Sequence, residues 1–297
     1  MNTKDQNGLT EKEFLRLYNP GAFDRLSITV DAVIFSVDTT IQTKNYRKLD
    51  DQKITVLLVK RKEHPYIGKW SLPGGFVGGG ETLDNAAKRV IKDKTGLIDV
   101  YLEQLAVSGD PDRDPRMRIV SCAYLALLDR SKYKIKESAL VADSAWFEFE
   151  LNEKEISLTN GGEEIVIPFI KSEARNGKIT VYHYNAAYGG LAFDHGDILL
   201  RAIISLREQA NNTDIVFNLL PNEFSVTQLQ QIYEIILGEK LLAPAFRRKI
   251  ASKIRETGRF SQEKGHRPSQ FYVYKGGFDN ERQGTENRGG ATDAESL

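Results

Sequence analysis

Three groups of residues in this 297-residue chain have types and spacings suited to chemistry. The first lies in residues 74 to 97, GGFVGGGETLDNAAKRVIKDKTGL. Glu81 follows Gly75 by six positions, Arg89 follows Glu81 by eight, and Gly96-Leu97 closes the stretch. The second group is Arg113 and Arg116 in the loop GDPDRDPR at 109 to 116, where forked guanidinium donors suit phosphate or sugar hydroxyls. Local pairing with Asp110, Asp112 and Asp114 is the alternative for both arginines. The third is a cationic run at 243 to 275: Arg247, Arg248, Lys249, Lys253, Arg255, Arg259, Lys264, Arg267 and Lys275 against Glu256 and Glu263. That window carries seven net positive charges in a chain whose total is zero, so the rest is acidic by the same amount.

The elements that must hold these groups follow from periodicity. Leu83, Ala86, Ala87, Val90 and Ile91 recur at helical spacing, and Gly96 supplies a stop. The four glycines between 75 and 80 free the preceding loop. Val90, Asp93 and Lys94 then share one helical face. Residues 26 to 37, 54 to 59, 100 to 107, 118 to 128 and 145 to 147 have strand character, with two prolines keeping 109 to 116 as a loop. Thr10 and Glu13 have capping-box spacing ahead of a short helix. Residues 165 to 170 and 179 to 184 suggest an inserted hairpin around Asn176-Gly177, covering a cleft or a dimer contact. A helix from about 197 to 209 follows Asp194 and His195, which either contact ligand or serve as a helix cap and a satisfied histidine.

Residues 211 to 214 read as a polar linker. Beyond it Ser225 and Gln228 cap a helix with core face Val226, Leu229, Ile232, Tyr233, Ile236 and Leu237, ended by Gly238. Pro244 suits the first turn of the next helix. Phe246 and Ile250 face inward there, which turns Arg247, Arg248 and Lys249 outward. A polar tip at 258 to 265 and a strand at 271 to 274 complete a winged helix-turn-helix. A basic second helix and wing are the electrostatic footprint of a reader of double-stranded DNA, with Arg267 placed to reach phosphate or the minor groove. A solvated basic face, or contact with RNA or an anionic membrane, is the alternative.

The first stretch resembles the Nudix box, G-x5-E-x7-R-E-U-x-E-E-x-G-U with U aliphatic, and Trp70 to Phe76 looks like that family's approach to it. In active members three helix glutamates hold divalent metal for pyrophosphate cleavage; here they are Val90, Asp93 and Lys94. Mg²⁺ needs hard oxygen ligands, and an ammonium ~4 Å away would oppose it by roughly 8 kcal/mol at an effective dielectric of about 20. The resemblance therefore implies a Nudix fold that binds without cleaving well, with no cofactor beyond residual Mg²⁺. An active enzyme using Glu81, Asp112 or Asp114 as substitute carboxylates is the competing expectation. Trp70 and Phe76 suit a core, although an aromatic ring beside a nucleotide cleft can also stack on a base.

Both halves together resemble the Nudix-related transcriptional regulators, through the Asp-Arg-Asp-Pro-Arg loop, the Ala-Phe-Asp-His entry at 192 to 195 and the winged helix. The resemblance implies an α+β architecture: a Nudix α/β/α sandwich with a mixed sheet, then a winged helix-turn-helix. It assigns 1–25 to an N-terminal extension, 26–210 to the sensor, 216–275 to the DNA-binding domain and 276–297 to a disordered tail. It implies a homodimeric repressor responding to ADP-ribose in NAD metabolism, or to a sugar. The ligand-binding candidates are Phe76, Glu81, Arg89, Arg113, Arg116, Asp194 and His195. The DNA-binding candidates are Arg247, Arg248, Lys249, Lys253, Arg259, Lys264 and Arg267. The other function classes are a pyrophosphatase with a basic appendage and an RNA-binding regulator.

Composition agrees with this reading. Forty per cent hydrophobic and 28 per cent charged residues is ordinary globular usage. The single Cys122 excludes an intramolecular disulfide and suits a packed strand. No metal-ligand spacing links His64, His183 and His266. No apolar run is long enough to cross a bilayer, and residues 1 to 10 lack the core of a signal peptide, so a soluble cytoplasmic protein without membrane partners is expected.

Overall fold

The computed structural model describes residues 3–22, 24–40, 51–176, 179–186, 190–261 and 268–277. Helix α1 (Glu11–Leu17) opens the described chain with the Thr10–Glu13 capping box formed and no buried residue. A mixed sheet follows. Strands β1 (Ser27–Thr40), β2 (Asp51–Lys60), β3 (Trp70–Ser71) and β4 (Gly74–Phe76) precede helix α2 (Leu83–Thr95). Then come β5 (Tyr101–Ser108), β6 (Ile119–Leu127), β7 (Asp143–Leu151), β8 (Glu155–Asn160), β9 (Glu163–Asn176) and β10 (Ile179–Ala186). The order is β10-β9-β8-β7-β2-β1-β6-β5, with β3 on β2 and β4 on β1. Only the β1–β6 pairing is parallel among those described.

Alternation along the central strands builds two cores. Val30, Ala32 and Ile34 of β1, with Cys122, Tyr124 and Ala126 of β6, face α2 and its Ala86, Ala87, Val90 and Ile91. Val33 and Phe35, with Ala123, Leu125 and Leu127, face the other way onto helix α3 (His195–Asn212), through Ile198, Leu199, Ala202, Ile203 and Leu206. The result is an α/β/α sandwich. Cys122 lies within it, and burial pushes its thiol pKa up, as suits a packing residue.

Residues 151 to 189 differ from the expected hairpin. A further strand, β8, precedes it, and β9 starts earlier than expected, at Glu163. Ile156 and Leu158 are fully buried on β8. Gly161 and Gly162, both at positive φ, form the two-residue turn that pairs Asn160 with Glu163. Gly177 of the expected turn lies outside the described residues.

The C-terminal unit comprises β11 (Phe224–Ser225), α4 (Val226–Leu237), α5 (Ala243–Ile250), β12 (Ile254–Phe260) and β13 (Gln270–Tyr274), with strand order β11-β13-β12. Ser225 and Gln228 form the capping box, Gly238 ends α4 in the left-handed conformation, and Pro244 sits in the first turn of α5. Leu229, Ile232, Tyr233 and Ile236 of α4 belong to the same core as β2 and α3, and Phe246, Ile250 and Ile254 continue it. The polar linker expected at 211 to 214 is structured: Asn211 and Asn212 end α3, and Asp214 accepts from Lys253 Nζ and from Tyr274 Oη at 2.8 Å. Residues 278 to 297, most of the expected tail, lie outside the described residues.

Candidate functional site

A cleft opens over the β1–β4 side of the sheet, lined by Asp31, Ser71, Gly74, Phe76, Lys94 and His195 together with the Arg113–Arg116 loop and the end of β2. A larger hollow of about 880 Å³ lies where the sheet meets the C-terminal unit. The smaller one, of about 240 Å³, is the functional candidate, because ionisable side chains converge there.

Its floor is a buried polar cluster. The Arg113 guanidinium, 3% exposed, donates to Asp194 through Nε (2.9 Å) and Nη2 (2.7 Å), and through Nη2 to Asp31 (3.2 Å). Ser121 Oγ donates to Asp31 at 2.6 Å, and Ser108 Oγ donates to Asp194. The Leu72 amide donates to His195 Nδ1 (2.9 Å), which places the ring proton on Nε2, 3.5 Å from Asp31. Burial alone would raise the Asp31 pKa; His195, Arg113 and Ser121 together hold it well below the usual carboxylate range. Asp31 was not singled out in the sequence. Its signal was a lone carboxylate in the apolar run SITVDAVIF, a residue type almost never fully buried unless paired.

Several site expectations need correcting. Arg113 lines the cleft, but its guanidinium pairs with carboxylates remote in the chain and not with its neighbouring aspartates. Asp194 holds the N-cap position of α3, but its carboxylate makes no capping bond because it is taken by Arg113 and Ser108. Arg116 does take the local option, forking onto Asp114 at 3.0 and 2.8 Å. Glu81 and Arg89 do not line the cleft. Arg89 binds Glu81 through two nitrogens (3.0 and 2.7 Å) and the Phe76 carbonyl at 2.9 Å, while Glu81 accepts the Gly78 amide. They brace the glycine loop, and Arg89 with Gly78 lowers the Glu81 pKa to about 2.

Trp70 is core as expected, but Phe76 is 45% exposed at the cleft. The Arg116 guanidinium lies 5.3 Å from the Phe76 ring and 5.9 Å from that of Phe193, and Arg61 lies 4.8 Å from Phe193. Phe193 and Tyr66, 4.9 Å apart, both have positive φ (55° and 61°). Strain of this kind, about 1–3 kcal/mol per residue, marks over-determined sites.

The helix face that would hold a divalent metal does not fit one. Val90 is buried against Gly75, Asp93 lies 3.8 Å from Arg89, and Lys94 turns into the cleft. Among the described residues no three acidic, histidine or cysteine side chains come together in a metal-ligating group. Of the substitute carboxylates, Glu81 is committed to Arg89 and Asp114 to Arg116, while Asp112 is exposed and not among the residues that line the cleft.

Gly74 is required by the cleft floor. A Cβ there would stand 1.8 Å from Asp31 Oδ1, whereas one at Gly79 meets nothing within 4 Å. Gly74→Ala is expected to cost more than ~3 kcal/mol in urea denaturation, by forcing Asp31 off Arg113. Gly79→Ala should stay within about 0.5 kcal/mol. Equal effects of the two would contradict the close approach.

In the C-terminal unit, Phe246 and Ile250 are buried, and Arg247, Arg248 and Lys249 project outward from α5. Arg247 and Arg248 make no hydrogen bond or ion pair among the described residues. Lys253 is turned back onto Asp214, and Arg259 of β12 pairs with Glu223, so neither is a free cation. Lys264 and Arg267 lie outside the described residues.

The comparisons with known proteins follow this division. Residues 47–166 match the NUDIX domain, and residues 216–274 match the NrtR DNA-binding winged helix domain. The chain is 32% identical over 271 residues to the ADPR responsive transcriptional repressor NtrR of Acinetobacter baylyi, covering 90% of each. An ADP-ribose pyrophosphatase of Methanocaldococcus jannaschii is 40% identical over 97 residues, 33% of this chain and 55% of that protein. Shewanella oneidensis NrtR in complex with a 27mer DNA superposes with a TM-score of 0.58 at 26% identity, over 84% of this chain and 93% of that one. A MutT/nudix family protein of Enterococcus faecalis shares the fold, with a TM-score of 0.68 at 24% identity over 90% of this chain and 94% of that one.

Proposed function

The chain belongs to the NrtR-type Nudix-related transcriptional regulators, and from that membership we propose that it is a DNA-binding repressor whose Nudix cleft senses ADP-ribose. The observation that carries this is Arg247 and Arg248, outward and unpaired among the described residues, on the second helix of a winged helix-turn-helix. The A. baylyi relative, named as an ADP-ribose-responsive repressor and matched over 90% of its length, supports the effector. The relative solved on a 27mer DNA supports the reader.

The protein acts as a homodimer whose two recognition helices read half-sites ~34 Å apart, one turn of DNA. Because α4 shares its core with β2 and α3, each reader moves with its own sensor. Effector therefore acts by changing how the two protomers sit, and only through different affinity for the two arrangements. Phe76, Arg116 and His195, which line the cleft, contact the effector; Arg113 and Asp194 hold the floor beneath it.

We infer that the Nudix domain here binds and does not turn over its ligand, given Val90 and Lys94 on the metal-binding face. The test has two arms. Duplexes selected from a random pool by the full-length protein should be bound in a gel-shift assay and released by ADP-ribose. Phosphate release from ADP-ribose with Mg²⁺ and a phosphatase should stay far below ordinary enzyme turnover (about 1 s⁻¹ or more). Turnover at that rate without duplex selection would favour the pyrophosphatase suggested by the M. jannaschii relative.

A further inference from the structure

The charges in the cleft do not balance. Of its lining cations, Arg113 is committed to Asp194 and Asp31, and Arg116 to Asp114. Arg61 donates to the carbonyls of Pro65 and Glu63 and Lys62 to that of Ala139. The Glu63 carboxylate also lines the cleft and, with Asp114 and Asp31, acts on Arg61 through space, but neither Arg61 nor Lys62 makes an ion pair among the described residues. Lys94 is half-buried and makes no hydrogen bond or ion pair among the described residues. Burial lowers its pKa, with Arg61 adding to the effect and Asp31 opposing it. An ammonium withdrawn from water without a partner is costly, and a bound anion removes that cost.

We propose that Lys94, with Arg61 beside it in the cleft, takes over the electrostatic task of the missing metal: its ammonium binds the diphosphate of the effector directly, and ADP-ribose binds without any divalent cation. The proposal rests on the effector reading above and adds the anchor and the metal independence to it. The placement is specific. Of the three helix positions that hold metal in active relatives, one is hydrocarbon buried against Gly75 and one is an aspartate near Arg89; only Lys94 enters the cleft. A lysine supplies charge but cannot lower the pKa of a bound water as a metal does. The substitution therefore retains affinity for the diphosphate while removing the means of cleaving it.

Calorimetric titration of the full-length protein with ADP-ribose, in excess EDTA and in Mg²⁺ at matched ionic strength, tests this. Kd should agree within about twofold between the two buffers. Lys94→Gln should weaken binding about tenfold or more, the loss of one charge-assisted hydrogen bond to phosphate. Lys94→Arg should stay within about threefold of the parent. Unchanged operator affinity of Lys94→Gln without effector shows that the variant is folded. Mg²⁺-dependent binding, or a Lys94→Gln protein that binds as the parent does, would overturn the proposal while leaving ADP-ribose as the effector. Absence of saturation by ADP-ribose in both buffers would overturn the effector reading and this proposal with it.

Discussion

Replacing Arg113 by methionine is expected to destabilise the protein by about 3–5 kcal/mol at neutral pH, the cost of breaking a buried ion pair from one side. Methionine fills much of the same volume, so lost packing contributes little. What remains is Asp31 and Asp194, 6% and 5% exposed, facing one another without the guanidinium between them. The pH dependence separates this from a packing defect. In the parent, Asp31 has a depressed pKa, so its contribution is full above the ordinary carboxylate range and fades as pH falls through the folded value. In the variant, with the guanidinium gone, burial raises the Asp31 pKa. The penalty is then present above that raised value and absent below the unfolded one. The gap between the urea midpoints of variant and parent should narrow between about pH 7 and pH 4. A gap independent of pH would mean that Arg113 stabilises by packing alone.

The same cluster shows what could and could not be read from the sequence. Periodicity located α2, α4 and α5 and the inward pair Phe246 and Ile250, because a helix or strand declares its buried face through its own neighbours. It could not say what lies opposite. Asp31, Arg113 and Asp194 are separated by 81 or more positions, and nothing local to Arg113 distinguishes a remote carboxylate from the three aspartates around it. Strand β8 was missed for a different reason. Its run EISLTN is short and half polar, and Gly161-Gly162 after it is a weaker hairpin signal than Asn176-Gly177. At the cleft, the residue types Val90 and Lys94 on the helix face were legible in the sequence. The inward turn of Lys94 was not, because a long side chain on a helix edge can point either way.

Arg247→Ala combined with Arg248→Ala is expected to weaken operator binding by about 100-fold or more while leaving ADP-ribose affinity unchanged. Base-edge contacts contribute about 1–3 kcal/mol each, and each lost phosphate contact also reduces the salt slope of log K by about 0.9. Both side chains are exposed beside the buried Phe246, so their removal disturbs no core. Stability should hold within about 0.5 kcal/mol. Lys253→Ala makes the contrasting case. Its ammonium is held by Asp214, which also accepts from Tyr274, so its loss loosens the junction between α3 and the wing rather than the face presented to DNA. That variant should lower the urea midpoint and leave the salt slope of DNA binding close to the parent's. Gel-shift titrations over a range of salt concentrations give both quantities. Normal operator affinity in the double variant would move the reading surface off α5, and a parental salt slope would show that neither arginine meets phosphate.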